Sequence, residues 1–148
     1  MMNIINNIVN SYKHILYTLK HIIWINRIAK RYYDCHFFLH DIDKLLMYIF
    51  LPFMGTKWIQ EFHRSHSRHH VNNKVKTCMN EIEMVCDWES ARYTKPDKPL
   101  NARETCIKYY PDQFSNLETY FDHFDIIDTF RKYDSNNNNN NNSNTNYI

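Results

Sequence analysis

The stretch Glu61–His70 reads Glu-Phe-His-Arg-Ser-His-Ser-Arg-His-His and holds four of the nine histidines in the chain. The adjacent pair His40-Asp41 precedes it and Asp87 follows it. Imidazole ligates borderline metals and moves protons near neutral pH. A carboxylate beside it adds a hard oxygen ligand. Such a mixed nitrogen and oxygen set suits a divalent transition ion (Mn, Fe, Zn, Ni or Co) better than calcium, which prefers oxygen alone. The plain alternative is a hydrophilic, His-rich helix surface.

Helical geometry limits which of these residues can share an ion. Neighbours such as His40 and Asp41 differ by about 100° around a helix, and both can reach an ion over the edge between them. His14 and His21 are seven apart, about 10 Å along an axis, so the two cannot ligate one ion. The same limit separates His63 from His70 if the helix continues, whereas His66 and His70, or His63 and His66, are close enough to share one.

The elements that must position these groups read as helices throughout. A helix is expected over 3–33. Ile5, Ile8, Tyr12, Ile15, Leu16, Leu19, Ile22 and Ile23 recur at spacings of three and four. His14 and His21 fall on the other side with Tyr17, Trp24, Ile25 and Ile28, so this helix is expected to be packed on both faces. Asp34-Cys35 is a connector. A second helix is expected over about 35–50, ending before Pro52, and a third over 57–71. Asn72-Asn73 breaks the pattern. A fourth helix, about 75–93, offers Met79, Ile82, Val85 and Cys86 to the core. Met84, Trp88 and Trp58 also read as core packing. Residues 94–100, with Pro96 and Pro99, read as a loop. Helices over 102–109 and 113–132 follow, the latter with Leu117, Tyr120, Phe121, Phe124 and Ile127 on one side. From Ser135 the chain is nearly all Asn, Ser and Thr, which cannot bury a core and reads as a disordered tail. The expectation is therefore an all-α bundle of five to six helices over 1–134 with a tail over 135–148.

Composition narrows the function classes. The chain has 148 residues with one Gly and four Pro, too few breakers for a turn-rich β fold. The net charge of +2 does not call for nucleic acid or an anionic membrane. No run of about 18 apolar residues predicts a membrane span. The four cysteines form no C-x-x-C pair and no cleavable leader is evident, so reduced thiols and an intracellular location are expected.

Together these residues resemble the HD-domain superfamily of metal-dependent phosphohydrolases. More closely, residues 12–125 resemble an uncharacterised HD-like family of bacteria, phages and large DNA viruses. The shared pattern is His14 and His21 on the first helix, then His40-Asp41-Ile42-Asp43-Lys44. Trp58 and His63 follow, then Ser67-Arg68-His69-His70, and Glu83-Met84-Val85-Cys86-Asp87-Trp88 with Ala91. The last motif is the most specific, with six positions in order. Two positions depart from the pattern: Asp43 stands for Ser and Ser67 for Asn.

The resemblance implies a compact HD-like bundle in which His21, His40, Asp41 and Asp87 bind a divalent metal ion. His14 substitutes for His21 if the register differs. His63, His69 and His70 would hold a second ion or a substrate phosphate, or form an exposed cluster. Lys44 lies three residues after Asp41 and would either receive a phosphate or pair with Asp41. Glu83 shares a helix face with Asp87 and would hydrogen-bond a ligating histidine. Arg64, Arg68, Lys74 and Lys76 are candidates to attract an anion. Asp41, Lys44, His69 and His70 are then the groups closest to the chemistry, and the implied partner is a small phosphorylated substrate such as a nucleotide.

Overall fold

One side of the first helix and the middle of the fourth supply most of the apolar interior. The computed structural model describes residues 2–71, 76–95, 97 and 100–142, with side chains from residue 4 to residue 132 within those ranges. Among them are six helices, α1 (Met2–Tyr33), α2 (Ile42–Phe50), α3 (Thr56–His66), α4 (Cys78–Thr94), α5 (Ala102–Tyr109) and α6 (Phe114–Asn142), and no strand. Short 3₁₀ turns at Pro52–Met54 and Pro111–Gln113 link α2 to α3 and α5 to α6. The fold is an all-α bundle, as expected. The break expected at Asn72-Asn73, together with Lys74, Pro96 and Pro99, lies outside the described residues. The last helix, expected to end at Lys132, instead runs through Asn142 into the stretch expected as a tail from Ser135, and residues 143–148 lie outside the described residues.

The core is where α1 crosses α4, closed by α5 and α6. Ile25, Ile28 and Ala29 of α1 meet Met84, Val85 and Cys86 of α4, with Cys106, Leu117 and Phe121 completing the contact. Fully burying residues such as Ile25 or Phe121 contributes about 1.5–3 kcal/mol each. Tyr33 donates its hydroxyl to the Tyr120 carbonyl at 2.9 Å, tying α1 to α6. Helix starts are set locally. Thr77 and Asn80 form a reciprocal capping box at α4, and Asn101 and Glu104 form another at α5. The only glycine in the sequence, Gly55, precedes α3 at φ 84°, a conformation in which a side chain would be strained. Asn7 and Ser11 of α1 donate to the carbonyls of Phe53 and Pro52, fixing the α2–α3 corner against α1.

Several expectations are corrected. The second helix starts at Ile42, not near Cys35, so His40 and Asp41 lie in the turn before it. The third ends at His66, not Val71, which leaves His69 and His70 in the following loop. Met79 and Trp58 are exposed instead of core, Trp58 stacking on Phe62. Only one face of α1 is covered by the described residues; the apolar row from Ile5 to Ile23 is open.

Candidate metal centre

Four separate pieces of backbone deliver the site. α1 brings His21, the turn before α2 brings His40 and Asp41, α3 and its trailing loop bring His63, His69 and His70, and α4 brings Glu83 and Asp87. Asp41 occupies the centre. Its backbone is left-handed, φ 58° and ψ 12°, a region that Asp tolerates better than most residues but which carries a conformational cost. That kink starts α2 and turns the carboxylate inward. Asp41 Oδ1 lies 2.8 Å from His63 Nε2, 3.5 Å from His40 Nε2 and 3.8 Å from His69 Nε2. Asp41 Oδ2 lies 3.7 Å from His21 Nε2 and 2.6 Å from Lys44 Nζ. His21 Nε2 also lies 3.0 Å from Asp87 Oδ1.

The outer ring nitrogens are anchored, which aims the inner ones. His40 Nδ1 is 2.9 Å from Glu83 Oε1. Because a carboxylate accepts, this nitrogen donates, and Nε2 is left with its lone pair toward Asp41. Ser90 donates its hydroxyl to the Asp87 carbonyl at 2.7 Å and so accepts from His21 Nδ1 at 2.9 Å. His63 Nδ1 lies 2.8 Å from Asp43 Oδ2 and 3.0 Å from Ser67 Oγ. The two departures from the HD-like pattern, Asp43 and Ser67, therefore meet at a single nitrogen.

Five buried polar atoms in this space have no hydrogen-bond partner: His40 Nε2, Asp41 Oδ1, His63 Nε2, His69 Nε2 and His70 Nε2. His63 Nε2 and Asp41 Oδ1 are close at 2.8 Å but not aligned for a hydrogen bond. Leaving such atoms unsatisfied costs about 1–3 kcal/mol each, so a cluster of five marks a place where a bound partner would be stabilising. Ligand atoms bound to one ion at about 2.0–2.2 Å stand roughly 3 Å apart, the spacing seen around Asp41. Three groupings bring their ligand atoms within 4.8 Å of one another: His21 with His40 and Asp87, His40 with Asp41 and His69, and His63 with His69 and His70. The cluster can hold a metal ion.

Protonation favours ligation at Asp41, Asp87, His69 and His70, whereas His40 and His63 must give up a proton to bind an ion. Burial pushes the Asp41 and Asp87 carboxyls up, but neighbouring imidazoles outweigh it and hold both well below the usual carboxylate range. Burial, helped by the charge of neighbouring histidines, lowers His69 to about 4 and His70 to about 3, which keeps both neutral with free lone pairs. Burial lowers His40 and His63 too, but the contacts to Glu83, and to Asp41 and Asp43, prevail and raise them.

The site opens into a cleft of about 310 Å³ lined by His14, Tyr17, Lys44, Gln60, Arg64 and Lys95 among others. A second hollow of about 580 Å³ shares Arg64, His70, Asp87 and Lys95 as walls and extends to Trp88 and Tyr110. Of the two α1 histidines, His21 reaches the carboxylates, while His14 stacks on Tyr48 and lines the cleft. The helical limit set between His63 and His70 does not hold. The chain leaves the helix after His66, and the His63 and His70 rings come to 4.9 Å. His66 turns away, exposed, with Nδ1 on the Phe62 carbonyl. Arg64 reaches the cleft, and Lys76 instead directs its ammonium at the Met84 sulfur, 3.2 Å away. Sequence reasoning missed Ser90, although it lies three residues after Asp87 on the same helix face. It also missed that Asp43 orients His63. Comparison with protein-family models, with curated proteins and with solved structures finds no match.

Proposed function

We propose that this chain is a metal-dependent phosphohydrolase of the HD type, acting on a small phosphate ester such as a nucleotide. The observation that carries the reading is a cluster of five unpartnered buried atoms, from His40, Asp41, His63, His69 and His70, beside a cleft that His63 and His70 line together with Lys44, Arg64 and Lys95. His21, His40, Asp41, Asp87, His63, His69 and His70 are the residues to hold metal. When bound, a divalent ion polarises a phosphoryl oxygen and lowers the pKa of a coordinated water.

The chain's own groups then have distinct tasks. Lys44, Arg64 and Lys95 receive the negative charge of the phosphate, Arg64 with a planar fork and the lysines as point charges. Lys44 is shared with Asp41, so it stays fixed where the phosphate enters. Glu83, Ser90 and Asp43 lock the ring orientations of His40, His21 and His63. In the net reaction water adds to phosphorus, the ester P–O bond breaks, and the alcohol leaves with a proton. The HD resemblance supports this reaction class, and fold analogy alone does not identify the substrate.

The test is to load purified protein with Mn, Fe, Co, Ni or Zn and to screen phosphate esters for phosphate release. Turnover that is absent in Asp41→Asn, a change that keeps the left-handed backbone accessible, supports the reading. Undiminished turnover in that variant, or none with any ion and ester in the native chain, contradicts it.

A further inference from the structure

The outer face of α1 carries a straight row of large apolar side chains that the described residues leave uncovered. Ile5, Val9, Tyr12, Leu16, Leu19 and Ile23 are spaced four, three, four, three and four residues apart and are 43–63 % exposed. We propose that this row is a dimer interface, in which α1 of one chain packs side by side and parallel with α1 of a second copy.

The row is two interleaved seven-residue repeats, Ile5, Tyr12 and Leu19 with Val9, Leu16 and Ile23, and over nineteen residues, about 27 Å of helix, such a repeat forms the seam of a two-stranded left-handed coil. At these exposures the six side chains, with neighbouring Ile8, present roughly 700 Å² of surface per copy, near the roughly 800 Å² each partner gives a stable interface. The face repeats its own pattern along its length, so an identical helix fits it under a twofold axis.

Charge sets the direction. One flank of the row carries Ile8, Ile15 and Ile22, and the other carries Lys13, Lys20 and Arg27, and α1 contains no acidic residue. An antiparallel pair places each flank against its own equivalent, cation row against cation row. A parallel pair places the Lys and Arg flank of one copy along the Ile flank of the other. There the aliphatic stems cover the isoleucines and the charged ends stay in water. His14 and His21 lie on the opposite side of α1, so the contact leaves the metal cleft of each copy open.

Sedimentation velocity on the full chain, over a wide range of concentration, tests the contact. The native chain is expected to sediment as a dimer. Leu16→Glu should halve the mass while leaving helical circular dichroism unchanged, because Leu16 is exposed in the single chain; Tyr12→Glu is the second variant should the first not fold. In a Cys78→Ser background, Ile23→Cys should cross-link two copies on mild oxidation, since a parallel pair sets residue 23 against itself whereas an antiparallel pair sets it against residue 5. A native chain that stays monomeric, or a dimer that survives both charge substitutions, overturns the proposal. So does a monomer that instead co-sediments with phosphatidylserine vesicles. A dimer that fails to cross-link through residue 23 overturns the parallel arrangement.

Discussion

Asp41 does at residue scale what no other side chain here does: it touches His21, His40, His63, His69 and Lys44 through two oxygens. Asp41→Asn keeps the shape and the left-handed backbone but removes the charge, so it should abolish metal retention while circular dichroism stays native. His63 tests the outer contacts. Asp43→Ser removes the carboxylate from His63 Nδ1, and metal affinity should fall roughly 10–100-fold, read by competition with a coloured chelator. An unchanged affinity would show that Ser67 alone orients the ring. The histidines also set a pH response in the metal-free chain. His69 and His70, lowered to about 4 and 3 from 6.5, bind fewer protons folded than unfolded. Their contribution is complete above 6.5 and is lost as pH falls through 4 and 3. His40 and His63 are raised, so theirs is present below 6.5 and lost as pH rises through their folded values. Replacing His69 and His70 together with Gln should therefore flatten the loss of thermal stability between pH 7 and pH 5.

At the scale of elements, the capping boxes and the corner fixed to α1 decide whether the ligands arrive together. Thr77→Ala removes the side chain that accepts from the Asn80 amide at the start of α4. It should cost about 1 kcal/mol in urea unfolding. Because Glu83 and Asp87 sit in the second and third turns, metal affinity should change little. The helices themselves were legible in the sequence: α1, α5 and the start of α6 carry clear periodicity or caps. Of the turn at 34–41 only the start, Asp34-Cys35, was legible as a connector, because Phe37, Phe38 and Leu39 continue an apolar pattern that looks helical. What ends α1 is the left-handed backbone of Asp34, and that of Asp41 sets the start of α2, a conformation that Asp adopts without any glycine to announce it. The loop at 67–71 was hidden for a similar reason, since histidines and arginines carry no turn signature. The result was a helical spacing rule applied to His63 and His70 across residues that do not form a helix. Which residues the fold gathers into one polar cluster was nevertheless readable from their types. Their convergence depends on tertiary packing of α1 on α4, which no local pattern encodes.

For the whole molecule, the apolar core lies where the C-terminal half of α1 meets α4, α5 and α6, while the polar cluster lies between α1, α3, α4 and the turn before α2. These two centres share α1 and α4 but not their side chains. A core truncation such as Phe121→Ala should lower stability by about 3–5 kcal/mol without altering the stoichiometry of metal bound to the folded fraction. Removing metal acts on the other centre. Since binding joins four distant segments and is coupled to their folding, a chelator should lower the melting temperature of the loaded chain and leave Asp41→Asn unaffected. All four cysteines are unpaired, so a reductant should not change either result, and no helix among the described residues is long and apolar enough to cross a membrane.

The most direct measurement is elemental analysis of untagged protein that has been loaded with each of Mn, Fe, Co, Ni and Zn and then desalted, beside Asp41→Asn treated identically. The account predicts at least one tightly held ion per native chain and none above background in the variant. A native chain that retains no metal, or a variant that retains as much, would contradict it.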